Sequence, residues 1–107
     1  MTQTGTKLEK DFQKEVIQYL TQQGAYVIKT HVSAYQSQGE PDITCCYLGR
    51  YLAFELKKDS HSYATKLQKY KMKQIQEAGG IAMRVDNLDQ IKGVLYEISR
   101  VQQGGKS

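Results

Sequence analysis

The spacing of apolar residues along the chain predicts three helices and four strands. Apolar residues recur at intervals of three and four in the helical segments, at about residues 7–23, 66–78 and 88–101. Short runs rich in β-branched and aromatic residues predict strands at about 25–30, 42–48, 51–57 and 81–85. The order α-β-β-β-α-β-α predicts an α/β fold, with helices flanking a mixed sheet whose first strands form a meander. We see neither an internal repeat nor a domain boundary, so residues 1–107 are interpreted as one domain.

Capping and turn residues set the predicted boundaries of these elements. Capping boxes at Thr6–Glu9 and Thr65–Gln68 predict the starts of the first two helices, and Asp86-Asn87 predicts the start of the third. Gly49-Arg50 is the predicted turn between the second and third strands. Polar stretches without periodicity predict an exposed loop and a frayed tail, at residues 31–40 and 102–107.

Composition describes an ordinary globular protein with a modest positive charge. The 107 residues are 24% charged and 39% apolar, with a net charge of +4 and a pI near 9.0, which suits a polyanionic partner. No apolar run is long enough to span a membrane, and the N-terminus lacks the apolar segment of a signal peptide. Cys45 and Cys46 are adjacent on a predicted strand and face opposite sides, and no zinc spacing is present. We therefore predict a cytoplasmic protein with reduced thiols.

The candidate chemistry lies at the ends of the second and third predicted strands. Gly39-Glu40-Pro41-Asp42 precedes the second strand, and Glu55-Leu56-Lys57 ends the third, with Glu55 13 positions after Asp42. Side chains alternate along a strand, so Glu55 and Lys57 point the same way. Acidic side chains beside apolar strands are costly to bury unless a cation or a substrate uses them. The pattern therefore indicates metal-dependent phosphodiester chemistry.

Asp42 and Glu55 are the predicted ligands of one or two hard cations. Mg²⁺ and Mn²⁺ favour carboxylate and carbonyl oxygens and retain several waters, and a backbone carbonyl near Leu56 is a natural further ligand. Lys57 would hold the attacking water or stabilise the charge that develops on the phosphate. The alternative is that Asp42 only starts a strand after a turn, while Glu55 and Lys57 are solvated strand residues.

These motifs resemble those of a known nuclease superfamily. Pro41-Asp42 with Glu55-Leu56-Lys57 resembles the PD-(D/E)XK signature, and the Gly39–Asp42 form with Gln68 on the next helix resembles its VRR-NUC branch. The similarity covers roughly Phe12 to Val85. It implies a restriction-endonuclease-like αβββαβ core with an extra C-terminal helix, and DNA cleavage that depends on Mg²⁺ or Mn²⁺. Small stand-alone members resemble phage or bacterial enzymes that act on branched DNA as homodimers, in the manner of Holliday-junction resolvases, which implies the cytoplasm of a bacterial or phage-infected cell.

The resemblance also implies roles for two helix residues. Gln68 matches the family's glutamine on the second helix, where it would orient Lys57, a water or a phosphate. The capping box with Thr65 is the alternative role, and one side chain could serve both. Glu15 is the candidate for the family's acid on the first helix and would be a third metal ligand, with a surface glutamate as the alternative. Gln13 is a poorer candidate, because an amide is a weaker metal ligand.

The second helix combines lysines with tyrosines, a composition that suits contact with a phosphate backbone. An ordinary solvated helix face is the alternative for these lysines. The loop before Pro41 adds polar and aromatic residues that could touch DNA. The predicted DNA contacts are Lys66, Lys69, Lys73, Tyr35 and His31.

The sequence thus predicts a metal-dependent endonuclease, with a non-catalytic nucleic-acid-binding or assembly module as the alternative. Metal dependence separates the two functions. A homodimer is predicted because one chain carries one candidate site, and coordinated cutting of two strands needs two sites. Tyr47, Tyr51 and Tyr96 also exceed what one small core is expected to bury.

Overall fold

All seven predicted elements are present, in the predicted order. The structure, a computed structural model, describes residues 2–30, 39–57 and 65–104, with the backbone alone for residues 2–9 and 103–104. The elements are α1 (Thr2–Gln22), β1 (Tyr26–Lys29), β2 (Ile43–Tyr47), β3 (Arg50–Leu56), α2 (Lys66–Glu77), β4 (Ile81–Val85) and α3 (Leu88–Gly104).

The four strands form one sheet in the order β1-β2-β3-β4. The first three strands are antiparallel neighbours, whereas β4 lies parallel to β3 after the crossover through α2. The predicted mixed sheet with an initial meander is confirmed. The parallel pairing brings the C-terminal ends of β3 and β4 to the same edge of the sheet, which is the edge that carries Glu55-Leu56-Lys57.

One face of the sheet forms the hydrophobic core with α1 and α3. Ile43 lies opposite Phe54, and Cys45 lies opposite Leu52, so the side chains of these two pairs point to this face. All four are buried, and removal of such apolar surface from water is the main favourable term in folding. The buried helix side chains in the same cluster are Phe12, Val16, Leu20, Ile91, Leu95 and Ile98.

The opposite face is covered by α2 over its β3–β4 half. Ala53 and Ala82, which pair across these two strands, are both buried, and Gln76 Nε2 on α2 donates to the Ala82 carbonyl at 2.9 Å. None of the 12 residues of α2, all of which the structure describes, is itself buried. This helix is therefore held on the sheet largely by polar contacts and partly exposed side chains.

The first helix is longer than predicted. It begins at Thr2, so Thr6 lies inside the helix, and the predicted capping box at its start is wrong. Residues 2–6 contain no proline, and the single Gly5 costs only about 1 kcal/mol in a helix, so the sequence does not stop the helix at Thr6. Although α1 has 21 residues, no helix in the described part of the chain combines the length and apolar character that spanning a bilayer requires.

Two further boundaries differ from the prediction. The β2–β3 turn is Leu48-Gly49 and not Gly49-Arg50; both residues have positive φ (50° and 82°), which suits the twist of a two-residue hairpin. The third helix continues to Gly104, so residues 102–104 are not a frayed tail. Gln102 Nε2 donates to the Leu48 carbonyl at 2.7 Å, which ties this last turn to the hairpin. Residues 105–107 lie outside the described part of the chain.

Candidate functional site

The two candidate carboxylates face each other across β2 and β3. Ile43 pairs with Phe54, so Asp42, one residue before β2, lies opposite Glu55 and on the same face, the one that α2 covers. The Leu56 amide donates to Asp42 Oδ2 at 2.8 Å. The strand register and this hydrogen bond together fix the Asp42 side chain beside the C-terminal end of β3.

The backbone at Asp42 is held from the β1 side by Thr30. The Thr30 amide donates to the Asp42 carbonyl at 2.9 Å, and the Thr30 hydroxyl donates to the carbonyl of the buried Pro41. Thr30 follows β1 directly, so these bonds extend the β1–β2 ladder past the end of the strand. Thr30 was missed in the sequence analysis, because its hydroxyl bonds to Pro41, eleven positions away, and no local pattern pairs these residues.

The turn before Asp42 is held from the other side by α2. Gly39 has a φ of +83°, and a Cβ at this position would come within 2.5 Å of Leu67 Cγ, so only glycine allows both the turn and its contact with the helix. Beside it, Lys71 Nζ lies 2.9 Å from Glu40 Oε2. The residues of the Gly-x-Pro-Asp turn thus dock on the helix that also carries Gln68.

Glu55 is the buried charged group of the site, with 2% of its surface exposed. Gln68 Nε2 donates to Glu55 Oε2 at 2.5 Å, and Lys57 Nζ lies 3.4 Å from the same oxygen. The second oxygen, Oε1, is buried and has no hydrogen-bond partner among the residues that the structure describes. A buried carboxylate oxygen without a donor is costly, and a bound cation would remove that cost.

Burial and a neighbouring carboxylate change the ionisation of Glu55. Loss of hydration and, second, the charge of Asp42 raise the pKa of Glu55 to about 7 from its ordinary value of 4.5, although the Lys57 ammonium opposes this shift. Because the strand register places Asp42 opposite Glu55, the two side chains repel each other when both are ionised. A divalent cation between them would favour the doubly ionised state.

Gln68 completes the predicted capping box and also contacts Glu55, while its predicted role in orienting Lys57, a water or a phosphate stays a prediction. The Gln68 side-chain Oε1 accepts from the backbone amide of Thr65 at 2.8 Å. The Gln68 backbone amide donates to Thr65 Oγ1 at 3.1 Å, which completes the capping box of α2. Because Oε1 is engaged with Thr65, the Nε2 group is left to donate to Glu55. The cap therefore orients the amide that holds the carboxylate.

The carboxylate oxygens of Asp42 and Glu55 are of the type that binds Mg²⁺ or Mn²⁺. These ions are commonly held by one or two carboxylates and retain several waters, and the unpartnered Glu55 Oε1 supplies a free ligand atom. Within the described residues, no three histidine, cysteine, aspartate or glutamate side chains form a metal-binding cluster. Glu15 lies exposed on α1, and its role as a third acid stays a prediction, as does a carbonyl ligand at Leu56.

The predicted DNA contacts are only partly described by the structure. Lys66, Lys69 and Lys73 are exposed on α2, where they are available to a phosphate backbone. His31 and Tyr35 lie outside the described residues.

Arg84 is a further cation near the site that the sequence analysis did not single out. The parallel register pairs Glu55 with Arg84, so both side chains point to the α2 face, and Arg84 Nη1 lies 3.3 Å from Asp86 Oδ2. Arginine binds phosphate through a planar fork of donors. The signal that could have found it is a single charged residue inside the short apolar strand Ile81–Val85.

The chain was compared with families, curated proteins and solved structures. No family model and no curated protein matches it. Two similar solved structures are titled "VRR_NUC domain protein" (TM-score 0.67, 23% identity, 83% of this chain and 85% of the other) and "VRR_NUC domain" (TM-score 0.69, 21% identity, 82% and 94%). The chain thus has the fold of VRR_NUC domain structures, which confirms the predicted restriction-endonuclease-like core and the resemblance at the level of the fold.

The raised pKa of Glu55 predicts that stability depends on pH. Between pH 4.5 and about 7, the folded protein keeps a proton on Glu55 that the unfolded chain has released. The free energy of unfolding should therefore fall as pH rises through this window, by at most about 1.4 kcal/mol per pH unit. Urea unfolding in EDTA at pH 5 and pH 8 should show that Glu55→Gln stabilises the protein more at pH 8 than at pH 5.

The control for this measurement is Glu15→Gln, which makes the same chemical change at an exposed position of α1. If Glu55→Gln changes the free energy of unfolding by the same amount at both pH values, the Glu55 carboxyl is not the source of the pH dependence.

Proposed function

We propose that this chain is a nuclease that hydrolyses DNA phosphodiester bonds with Mg²⁺ or Mn²⁺. The observation that supports this most directly is the buried Glu55 carboxylate, whose Oε1 has no partner among the described residues and whose neighbour across the sheet is Asp42. The fold shared with VRR_NUC domain structures adds to this support. A binding module without catalysis would gain nothing from two repelling carboxylates at one strand end.

Each residue of the site has a separate part in the proposed reaction. Asp42 and Glu55 hold the cation, with a carbonyl near Leu56 as a further oxygen ligand, and the cation when bound polarises the phosphate and promotes ionisation of water. Lys57 Nζ, 3.4 Å from Glu55 and partly exposed, stabilises the negative charge that develops on the phosphate oxygens. A water oxygen bonds to phosphorus, one P–O ester bond breaks, and the leaving oxygen takes up a proton.

Gln68 is proposed to be a positioning residue in this reaction. It holds Glu55 Oε2 and leaves Oε1 for the cation, while its other amide atom is fixed by Thr65. Misplacement of a ligand by even a small distance weakens catalysis strongly, because the reacting groups must be oriented before the reaction.

The preferred substrate is proposed to be branched DNA, cut by a homodimer. One chain carries one Asp42–Glu55 pair, so paired cuts in a four-way junction, which has approximate two-fold symmetry, need two chains. A surface for the second chain is available on α3 at Val101, which is 63% exposed. Next to Val101, an apolar cavity of about 550 Å³ lies between α3 and the N-terminal ends of β3 and β4.

The proposed metal dependence predicts the effect of replacing Asp42. Duplex, flap and four-way DNAs should be cut in Mg²⁺ or Mn²⁺ and left intact in EDTA. Asp42→Asn removes a ligand charge while keeping the side-chain shape, so the cleavage rate should fall by about a hundredfold or more, without loss of folded protein. DNA affinity in EDTA should be unchanged or higher, because one less negative charge faces the phosphates.

The matched control is Asp11→Asn, the same substitution at an exposed position of α1. Full cleavage by Asp42→Asn and Glu55→Gln at limiting metal concentration would refute the metal site. Equal DNA binding with and without metal, and no cleavage of any substrate, would indicate the binding module instead.

The double role of Gln68 gives a second prediction. Thr65→Ala should lower the free energy of unfolding by on the order of 1 kcal/mol, because it breaks the cap. Gln68→Ala should lower it by more, because it breaks the cap and also removes a donor to the buried Glu55. Turnover per folded molecule should fall at least tenfold more in Gln68→Ala, which also removes the donor to Glu55. Equal losses of turnover in the two variants would mean that Gln68 acts through the cap alone.

The dimer is tested separately from catalysis. Sedimentation at micromolar protein concentration should give the mass of two chains, and Val101→Glu should shift it to one, since it puts a charge on the proposed apolar surface. The same variant should lose paired cuts on a four-way junction more than single cuts on a nicked duplex. A monomer that cuts linear duplex as readily as a junction would contradict both parts of the proposal.

A further inference from the structure

The face of the sheet on which α2 lies exposes an unusual set of side chains on β1, on β2 and at the N-terminal end of β3. Tyr26 on β1 pairs with Cys46 on β2, and Cys46 pairs with Tyr51 on β3, so the three point to one face. Ile28, two residues after Tyr26, points to the same face. Tyr26 is 71% exposed, Ile28 51% and Tyr51 47%, and Cys46 is also exposed.

This exposed surface, which we call the tyrosine face, lies on the same side of the sheet as the candidate active site. On β1, Tyr26 lies four residues before Thr30, whose amide donates to the Asp42 carbonyl. On β3, Tyr51 lies four residues before Glu55. Four residues of strand separate the tyrosines from the carboxylates in both cases, a distance of about 13 Å. All of these side chains lie on the same side of the sheet.

The two tyrosines lie near each other on this face. Tyr26 and Tyr51 are two strands apart, about 10 Å, with only the small side chain of Cys46 between them. One edge of the Tyr51 ring rests against Gly80, where a Cβ would come within 3.1 Å of Cδ2. The ring is thus supported on one side and open on the other.

We propose that the tyrosine face binds unpaired nucleotides of a DNA strand, with Tyr26 and Tyr51 stacking on bases. This inference rests on the proposed function for the identity of the polymer and for the position of the scissile phosphate at Asp42 and Glu55. Stacking on aromatic rings is the general means by which proteins hold unpaired bases without reading their sequence. The distance of about 13 Å corresponds to roughly two nucleotides of extended strand.

The charges around the face favour this occupant. The exposed strand side chains of the face, Tyr26, Ile28, Cys46 and Tyr51, are neutral, so they do not repel phosphate, and the exposed lysines of α2 lie on the helix beside it. A second copy of the chain is a poorer fit, because four side chains supply much less than the roughly 800 Å² per partner that a stable interface buries. The chain's net charge of +4 also suits a polyanion.

Binding of a short fluorescent oligodeoxythymidylate in EDTA tests the inference without any cleavage. An abasic strand of the same length is the control probe, since it keeps the phosphates and lacks the bases. Tyr26→Ala and Tyr51→Ala should each weaken binding of the oligodeoxythymidylate by about tenfold and leave abasic-strand binding unchanged. Tyr26→Phe and Tyr51→Phe keep the ring and should bind as the parent does.

A spectroscopic variant supplies a direct reading of stacking. The chain contains no tryptophan, so Tyr51→Trp introduces a single indole reporter. Its fluorescence should be quenched when oligodeoxythymidylate is added and remain unchanged with the abasic strand. Because Tyr26 is the more exposed of the two, Tyr26→Trp repeats the test at a position where folding is least affected.

Three outcomes would overturn the inference. The first is parental affinity for oligodeoxythymidylate in both alanine variants, and the second is equal affinity of the parent for the abasic strand. The third is that the alanine variants lose self-association and keep oligonucleotide binding. These outcomes differ from failure of the proposed function. A chain that stacks bases but never cuts DNA contradicts the nuclease alone, and a chain that cuts without stacking contradicts only the role of the tyrosine face.

Discussion

The structure depends on how the Glu55 carboxyl is accommodated inside the sheet. A side chain that is 2% exposed, opposite a second carboxylate, lowers the stability of the fold unless its environment compensates. Compensation comes from three groups in two parts of the chain: the Gln68 amide on α2, and, at the end of β3, the Lys57 ammonium and the Leu56 amide, which engages Asp42. The remaining carboxyl oxygen, Oε1, has no partner among the described residues, and a bound ligand can offset the cost of burying it.

Much of this arrangement could be predicted because it is local in sequence. The apolar pattern predicts the β2–β3 hairpin, and the observed Leu48-Gly49 turn sets the register that brings Asp42 opposite Glu55. The predicted turn at Gly49-Arg50 would have placed Lys57 opposite Asp42 instead. The capping box of α2 is also local, since Thr65 and Gln68 are three residues apart. The elements were found in the right order for the same reason: each carries its own periodicity and its own end signals.

The errors and omissions concern contacts between distant residues or weak local signals. Glu40 and Lys71 are 31 positions apart, and no pattern pairs them. The close packing of Gly39 on Leu67 is likewise a property of the folded chain. At the start of α1, a good local capping signal at Thr6 was not decisive, because the residues before it tolerate a helix. The turn at Leu48 was misplaced by one residue because leucine seldom adopts a positive φ.

The attachment of α2 has a consequence for how the molecule responds to heat. This helix buries none of its residues, yet it holds Glu55 through Gln68 and the turn before Asp42 through Leu67 and Lys71. An element with so little buried apolar surface opens at a lower free energy than the α1–α3 core does. Transient detachment of α2 would disassemble the site while the rest of the chain stays folded. Loss of activity on warming would then be a local and reversible event that precedes global unfolding. A bound cation or DNA strand would hold α2 in place and bring the temperature of this local opening closer to that of global unfolding.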